Sequence, residues 1–148
     1  MPDIFSKRKR SAVMAAIRSR GNAATELRLI ALMRAHGITG WRRGASLRRK
    51  AESERLKAFT VRPDFVFRKL LLAVFVDGCF WHGCPVHGTQ PRQNAKFWRD
   101  KIARNRARDR LVTRTLRAKG WIVLRIWEHE LTRRNHARLL RRLKTAGL

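Results

Sequence analysis

The stretch Val61-Arg-Pro-Asp-Phe-Val-Phe-Arg-Lys-Leu-Leu-Leu-Ala-Val-Phe-Val-Asp77 consists of two runs of β-branched, aromatic and aliphatic residues divided by Arg68-Lys69. Each run has the composition of a buried strand, and so short a basic break predicts an antiparallel hairpin with strands at 61–67 and 70–76. An aspartate marks the open end of each strand. Asp64 follows Pro63 at the mouth of the first, and Asp77 ends the second. A carboxylate at the mouth of an apolar strand costs free energy unless a cation or hydrogen bonds offset it.

Working outward from the hairpin, Ser6 can cap a basic helix reaching about Arg18, with Val13, Met14 and Ile17 on one stripe. Residues 1–20 are therefore expected to be a basic N-terminal segment of the kind a polyanion attracts. Gly21-Asn22 breaks it, and a second helix is expected over 23–36, burying Leu27, Ile30, Leu32 and Met33, with Gly37 as its stop. Trp41 can begin a strand, while residues 42–60 are charged and aperiodic and predict an exposed basic loop or a mobile hairpin.

Beyond the hairpin, the segment from Gly78 to Gln90 is punctuated by Gly78, Gly83, Pro85 and Gly88 and predicts irregular structure. The longest helix is expected over 94–119, with Trp98, Ile102, Val112 and Leu116 on one side, and Gly120 ends it. A strand over 121–127 and a helix over 131–143, with Leu139, Leu140 and Leu143 inward, complete the chain. This order predicts a single α/β domain over 1–148, a mixed β-sheet flanked by helices.

The 148 residues carry 36 Lys and Arg against 10 Asp and Glu, a formal charge of +26. A polyanion is the partner such a charge fits, and nucleic acid fits it better than a membrane surface, because no strongly apolar amphipathic stretch accompanies it. The longest apolar run, Leu70 to Val76, is too short to span a bilayer, and the basic start lacks an apolar signal core. A cytoplasmic, nucleoid-associated protein without membrane contact is expected.

Two metal sites are suggested. Asp64 and Asp77 at neighbouring strand ends, with Glu26 on the preceding helix, offer the oxygen ligands that Mg²⁺ takes. Such an ion can activate water and neutralise charge on a phosphodiester. A simple ion pair between Asp64 and one of the many arginines is the competing reading. Cys79, Cys84 and His87 are spaced C-x₄-C-x₂-H in the irregular loop, and His129 follows the last strand. Two thiolates and two imidazoles complete a closed structural zinc site, with His82 and His136 as alternative fourth ligands. Two cysteines packed as small hydrophobes would leave this loop with only Phe80 and Trp81 as apolar anchors.

The run Asp77-Gly-Cys-Phe-Trp-His-Gly-Cys-Pro-Val-His87 resembles the very short patch repair (Vsr) endonucleases. Its companions stand in the matching order: Arg10-Ser11, Met14 and Ile17, Glu26, Arg62-Pro-Asp-Phe65, Phe97-Trp98, Lys101-Ile102, Asn105, Arg108-Asp109, Gly120-Trp121 and Trp127-Glu128. Together they span about residues 6 to 131. The resemblance implies a restriction-endonuclease-like core of the PD-(D/E)xK superfamily, with Pro63-Asp64 as its diagnostic dipeptide. It implies that Asp64 and the backbone carbonyl of Val76 hold catalytic Mg²⁺, and that His82 is the base or proton relay. Glu26 is implied to hold a water at the metal or to orient His82. Phe80, Trp81 and Trp98 are implied to wedge into the duplex, with Met14 approaching from the minor groove; ordinary core packing is the other reading of Trp81 and Trp98.

The implied activity is nicking of one strand 5′ of the thymine in a G·T mismatch left by deamination of 5-methylcytosine. A cytosine-5 DNA methyltransferase and mismatch-repair proteins are the implied partners, and a monomer is expected. Two departures stand out. Asp77 occupies a position where the best-known member has histidine, and His129 one where cysteine is usual. The stretch around Ser46 to Thr60 is longer than the family's usual connection and adds basic residues before Asp64. A restriction or defence nuclease on the same scaffold and a non-catalytic, zinc-stabilised nucleic-acid-binding protein are the rival functions.

Overall fold

The computed structural model describes Ser6, Arg8, residues 25–49 and residues 59–148. The expected basic helix with Met14, and the middle of the 42–60 segment, lie outside the described residues. Among those described, helix α1 (Glu26–Ala35) is followed by strands β1 (Arg42–Arg43), β2 (Leu47–Arg49), β3 (Phe59–Val61), β4 (Phe65–Phe67) and β5 (Leu72–Asp77). Helix α2 (Ala95–Ala118), strand β6 (Ile122–Trp127) and helix α3 (His136–Thr145) complete it.

The main sheet has the order β1-β4-β5-β6, antiparallel except for the parallel β5–β6 pair that α2 connects. It is the expected mixed sheet. The period-2 alternation of β4 and β5 sends Phe65, Phe67, Leu72 and Val74 to one face, against Leu29, Ile30 and Met33 of α1 and Leu139 and Leu143 of α3. Val66 and Ala73 face the other way, against Leu116 of α2 and the β2–β3 pair through Leu47 and Val61. Helices thus cover both faces, which is why β4 is buried at every position.

The hairpin differs from expectation at both ends. Its first run is interrupted: Phe59–Val61 pairs with Leu47–Arg49 in a separate two-stranded sheet, and only after Arg62-Pro63 does the chain enter the main sheet. Proline supplies no N–H to a ladder, so Pro63 is a natural place for the change of partner. The turn is also longer than Arg68-Lys69. A 3₁₀ turn over Arg68–Leu70 leads into Leu71, which takes the left-handed region at φ 49° before β5 begins at Leu72.

Two further corrections concern burial. Residues 42–60 are not wholly an exposed loop: the antiparallel β2–β3 pair agrees with the hairpin alternative, β1 also falls within them, and Leu47 is buried. Ile30, Leu32 and Met33 of α1 are buried as expected, but Leu27 is exposed, and Glu26 and Leu29 complete the inward face. That face follows the i, i+3, i+4, i+7 pattern, but its first position is a glutamate. No helix among the described residues is long and apolar enough to cross a membrane.

Candidate active site and metal centre

The carboxyl ends of β5 and β6 and the mouth of β4 open on one side of the molecule, where the acidic residues collect. Asp64 is partly buried, and its Oδ2 accepts a hydrogen bond from the backbone N–H of Val76 at 2.7 Å. Burial pushes its pKa from the ordinary 3.8 up to about 6; the Val76 N–H opposes this, while the charge of Glu26 and a hydrogen bond with it add to it. Glu26, almost fully buried at the start of α1, also receives Arg43 Nη2 at 2.6 Å on Oε2. Two carboxyl groups in contact, one of them also bound by Arg43, offer paired oxygen ligands to a cation. The donor set of Asp64 and Glu26 therefore fits Mg²⁺, with the Val76 peptide beside it.

Asp77 belongs to a second cluster. Arg125 Nη1 donates to both its oxygens, at 2.9 and 3.0 Å, and His82 Nδ1 lies 3.6 Å from Oδ1. The nearest partner of His82 is Asp109 of α2, whose Oδ2 is 2.6 Å from Nδ1. The expected grouping of Asp64, Asp77 and Glu26 is thus divided: Asp64 meets Glu26, and Asp77 meets His82 and Asp109. Nor is Glu26 the group that orients His82; Asp109 does so, because α2 lies across the loop that carries the histidine.

The electrostatics follow from this packing. Burial opposes a charged His82 imidazole, yet the hydrogen bond to Asp109 and the charge of Asp77 outweigh it and raise its pKa. Burial also acts against ionised Asp109, but His82 and Arg125 hold its pKa below the ordinary value. At Asp77 burial prevails over Arg125 and His82, and the pKa is raised. Arg125 ties the cluster together, since its Nε donates to Thr113 Oγ1 at 3.0 Å, its Nη2 to the Asp109 carbonyl at 3.3 Å, and its plane lies 4.4 Å from the Phe75 ring. A buried carboxylate needs such a partner.

The loop after Asp77 is held by short turns, with Cys84 N–H donating to the Cys79 carbonyl at 2.9 Å and Gly88 N–H to the Cys84 carbonyl at 2.8 Å. Two of its glycines are required by space. A Cβ on Gly83, at φ 64°, would lie 2.8 Å from Ile102, and one on Gly88 only 2.4 Å from the Cys84 carbonyl oxygen. This close winding brings Cys79, Cys84, His87 and His129 together, with all four ligand atoms within 4.8 Å of one another. His129 Nδ1 is 3.4 Å from Cys79 Sγ and 3.7 Å from Cys84 Sγ. Those separations fit edges of a tetrahedron around zinc, roughly 3.3–3.8 Å for its usual bond lengths. The alternative ligands are engaged elsewhere: His82 with Asp109, and His136 Nε2 with the Leu131 carbonyl at 2.9 Å.

Phe80, Trp81 and Trp98 form one half-buried aromatic group, with ring centroids 5.2 to 5.9 Å apart in edge-to-face pairs. Phe97, half exposed, extends it at 5.2 Å from Trp98, and Lys101 Nζ lies 5.6 to 5.9 Å from three of the rings. These rings are not in either hydrophobic core. Asn105 Nδ2 donates to the Trp81 carbonyl at 2.9 Å and fixes the loop on α2. Sequence reasoning assigns no role to Asp109, Arg125, Phe97 or Lys101. Asp109 carries a usable signal, as one of only two acids in an arginine-rich helix and one turn beyond Asn105. Arg125 carries none, among 36 basic residues.

Comparison with known proteins agrees with this geometry. The family model described as DNA mismatch endonuclease Vsr matches residues 2–87. The type II nicking enzyme V.NmeAIP of Neisseria meningitidis is 35% identical over 152 residues, covering 99% of each chain. The DNA mismatch endonuclease Vsr of Escherichia coli is 35% identical over 130 residues, 86% of this chain and 74% of that protein. The type II nicking enzyme V.NaeI of Lentzea aerocolonigenes is 56% identical over 70 residues, 47% of this chain and 42% of that protein. The chain spans about half the length of V.NaeI and two other curated nicking enzymes that it matches. With the family model and a relative matched end to end, the chain belongs to the Vsr family of DNA mismatch endonucleases.

Proposed function

We propose that the chain is a Mg²⁺-dependent DNA endonuclease that nicks one strand of a duplex 5′ of the thymine in a G·T mismatch. One observation carries the reading: the histidine held by Asp109 follows Trp81 of the aromatic group directly in the chain, so one loop carries both. Asp64, assisted by Glu26 and the Val76 carbonyl, holds the catalytic ion. Mg²⁺ there supplies Lewis-acid polarisation of the phosphodiester and a source of hydroxide near neutral pH.

The protein's own groups perform the rest. His82, oriented through Nδ1, presents its other nitrogen to accept a proton from the attacking water, and Asp109 and Asp77 stabilise the imidazolium that results. Arg125 keeps the Asp77 carboxylate in place. Phe80, Trp81 and Trp98 enter the stack at the mismatch, where a wobble pair costs less to open than a normal one. Met14 and the basic N-terminal residues approach from the minor groove. Cys79, Cys84, His87 and His129 hold structural zinc, which keeps the loop in register. Burial raises the Cys79 thiol pKa, so zinc must displace a proton there.

On this reading the enzyme works as a monomer in the cytoplasm, on nucleoid DNA, beside a cytosine-5 methyltransferase and mismatch-repair proteins. The test is a nicking assay with Mg²⁺ on G·T, other mismatched and matched duplexes in varied flanks. Cleavage confined to G·T, abolished by Asp64→Asn with binding retained, is the expected result. Equal cleavage of matched DNA would favour a restriction-type nuclease, and binding without cleavage a non-catalytic DNA-binding protein.

A further inference from the structure

At the end of the sheet opposite Asp77 and Trp127, the surface turns apolar. Leu70, Leu71 and Ile122 are 39%, 48% and 48% exposed there. They are neighbours, because the Ile122 N–H donates to the Leu71 carbonyl at 2.8 Å. Beside them runs a groove of about 620 Å³, with Ile38, Leu70, Leu140, Leu143 and Leu148 among its lining residues. A shallower groove of about 520 Å³ adjoins it across Arg141 and carries Ile122 and Leu124.

The backbone gives an independent sign. Leu71 is in the left-handed region at φ 49°, ψ 43°, where a turn ordinarily uses glycine or asparagine. A leucine there holds backbone strain while half its side chain stays in water, and neither core accounts for it.

Charge decides among occupants. The main groove is edged by His36, Arg141 and Lys144, and among the described residues no aspartate or glutamate lines either groove. A second copy would bring a further +26 to a basic rim. The chain's own residues 7–20 carry six Lys and Arg and no acid. DNA would satisfy the rim but leave the apolar floor unpaired. We propose that this surface docks an acidic, amphipathic segment of a partner protein, apolar side chains in the groove and carboxylates on Arg141 and Lys144. Such helix-in-groove contacts join apolar anchors at i, i+3, i+4 and i+7 to a charged rim. The inference stands apart from the nuclease reading.

The test uses the full chain and two synthetic peptides of leucine and glutamate, one patterned as an amphipathic helix and one of the same composition scrambled. Affinity is read by fluorescence anisotropy near physiological salt, and the contact is mapped by amide hydrogen exchange. The patterned peptide should bind about tenfold tighter or better, protecting residues 68–72 and 139–148. Leu70→Asp and Leu71→Asp should each weaken it about tenfold with the melting temperature unchanged, since both side chains are more than a third exposed. Equal affinity for the scrambled peptide, protection on α2 instead, or indifference to both substitutions would overturn the proposal. So would self-association of the free chain by sedimentation that Leu71→Asp abolishes, which would assign the surface to a second copy.

Discussion

His82 Nδ1 sits 2.6 Å from Asp109 Oδ2, joining the irregular loop to the middle of α2 across 27 residues of chain. Asp109 touches no substrate in the proposed reaction; it holds the imidazole and raises its pKa. His82→Ala should therefore slow single-turnover nicking by about 10²- to 10⁴-fold, with Asp109→Asn intermediate. Because a base must be neutral, rate should rise with pH through the His82 pKa. Asp109→Asn should move that limb to lower pH, and the double variant should be no slower than His82→Ala alone. A double variant with independent, multiplying losses would show that the two residues do not act together.

Arg125 and Asp77 form a pair whose carboxylate is buried. Arg125→Met leaves that charge without its main partner and should cost about 3 kcal/mol in urea unfolding at neutral pH. Adding Asp77→Asn should restore most of the loss. If the double variant is as unstable as Arg125→Met, the cost arises from lost packing on Phe75 and Thr113.

Asp64 should make the metal-free protein less stable at neutral pH than in mild acid. Its folded pKa of about 6 exceeds the ordinary 3.8, so its contribution is fully present below 3.8, falls between 3.8 and 6, and is gone above. Asp64→Asn removes a penalty of up to about 3 kcal/mol near pH 7.5 and none near pH 3, while abolishing nicking. Mg²⁺ affinity should fall tenfold per pH unit well below pH 6, since a proton competes for the same oxygens. Calorimetry in two buffers of different ionisation enthalpy reads the released proton; Mg²⁺ affinity independent of pH between 5 and 7 would refute this.

Metal analysis checks the zinc assignment. Cys84→Ser and His129→Ala should each lose zinc, whereas His82→Ala and His136→Ala should keep it and His129→Cys should bind it at least as well. A chelator strong enough to strip the metal should lower the melting temperature of the parent chain. Retention of zinc by His129→Ala would remove that residue from the ligand set.

Spacing and period make much of the molecule legible in its sequence. β5, β6 and α2 fall within two residues of their expected bounds, and the C-x₄-C-x₂-H loop does collect with His129. What escapes depends on partners distant in the chain. The bounds of the β2–β3 pair are hidden because Leu47 and Val61 flank a charged stretch, so neither shows a strand period of its own. The first turn of α1 is misread, with Leu27 placed inside, because Glu26 occupies a buried position that hydrophobicity assigns to the surface, while Ile30, Leu32 and Met33 are buried as expected. Asp64 and Asp77 look like one pair from their place on a hairpin, but Arg125, with nothing to mark it among the other arginines, draws Asp77 toward α2.

Asn105 and Asp109 stand one turn apart on α2, the first gripping the Trp81 carbonyl and the second the His82 ring. Consecutive α-carbons are about 3.8 Å apart, so the ring proposed to enter the duplex and the imidazole proposed to serve the scissile bond are set by a single peptide link. On the proposed reading α2 is a ruler: the offset between the disturbed base and the broken bond is written into one helical turn. To shift the cut by a nucleotide, evolution or a protein engineer would have to re-index that turn, and substitutions that merely reshape the surface around it should change how often the enzyme cuts without changing where.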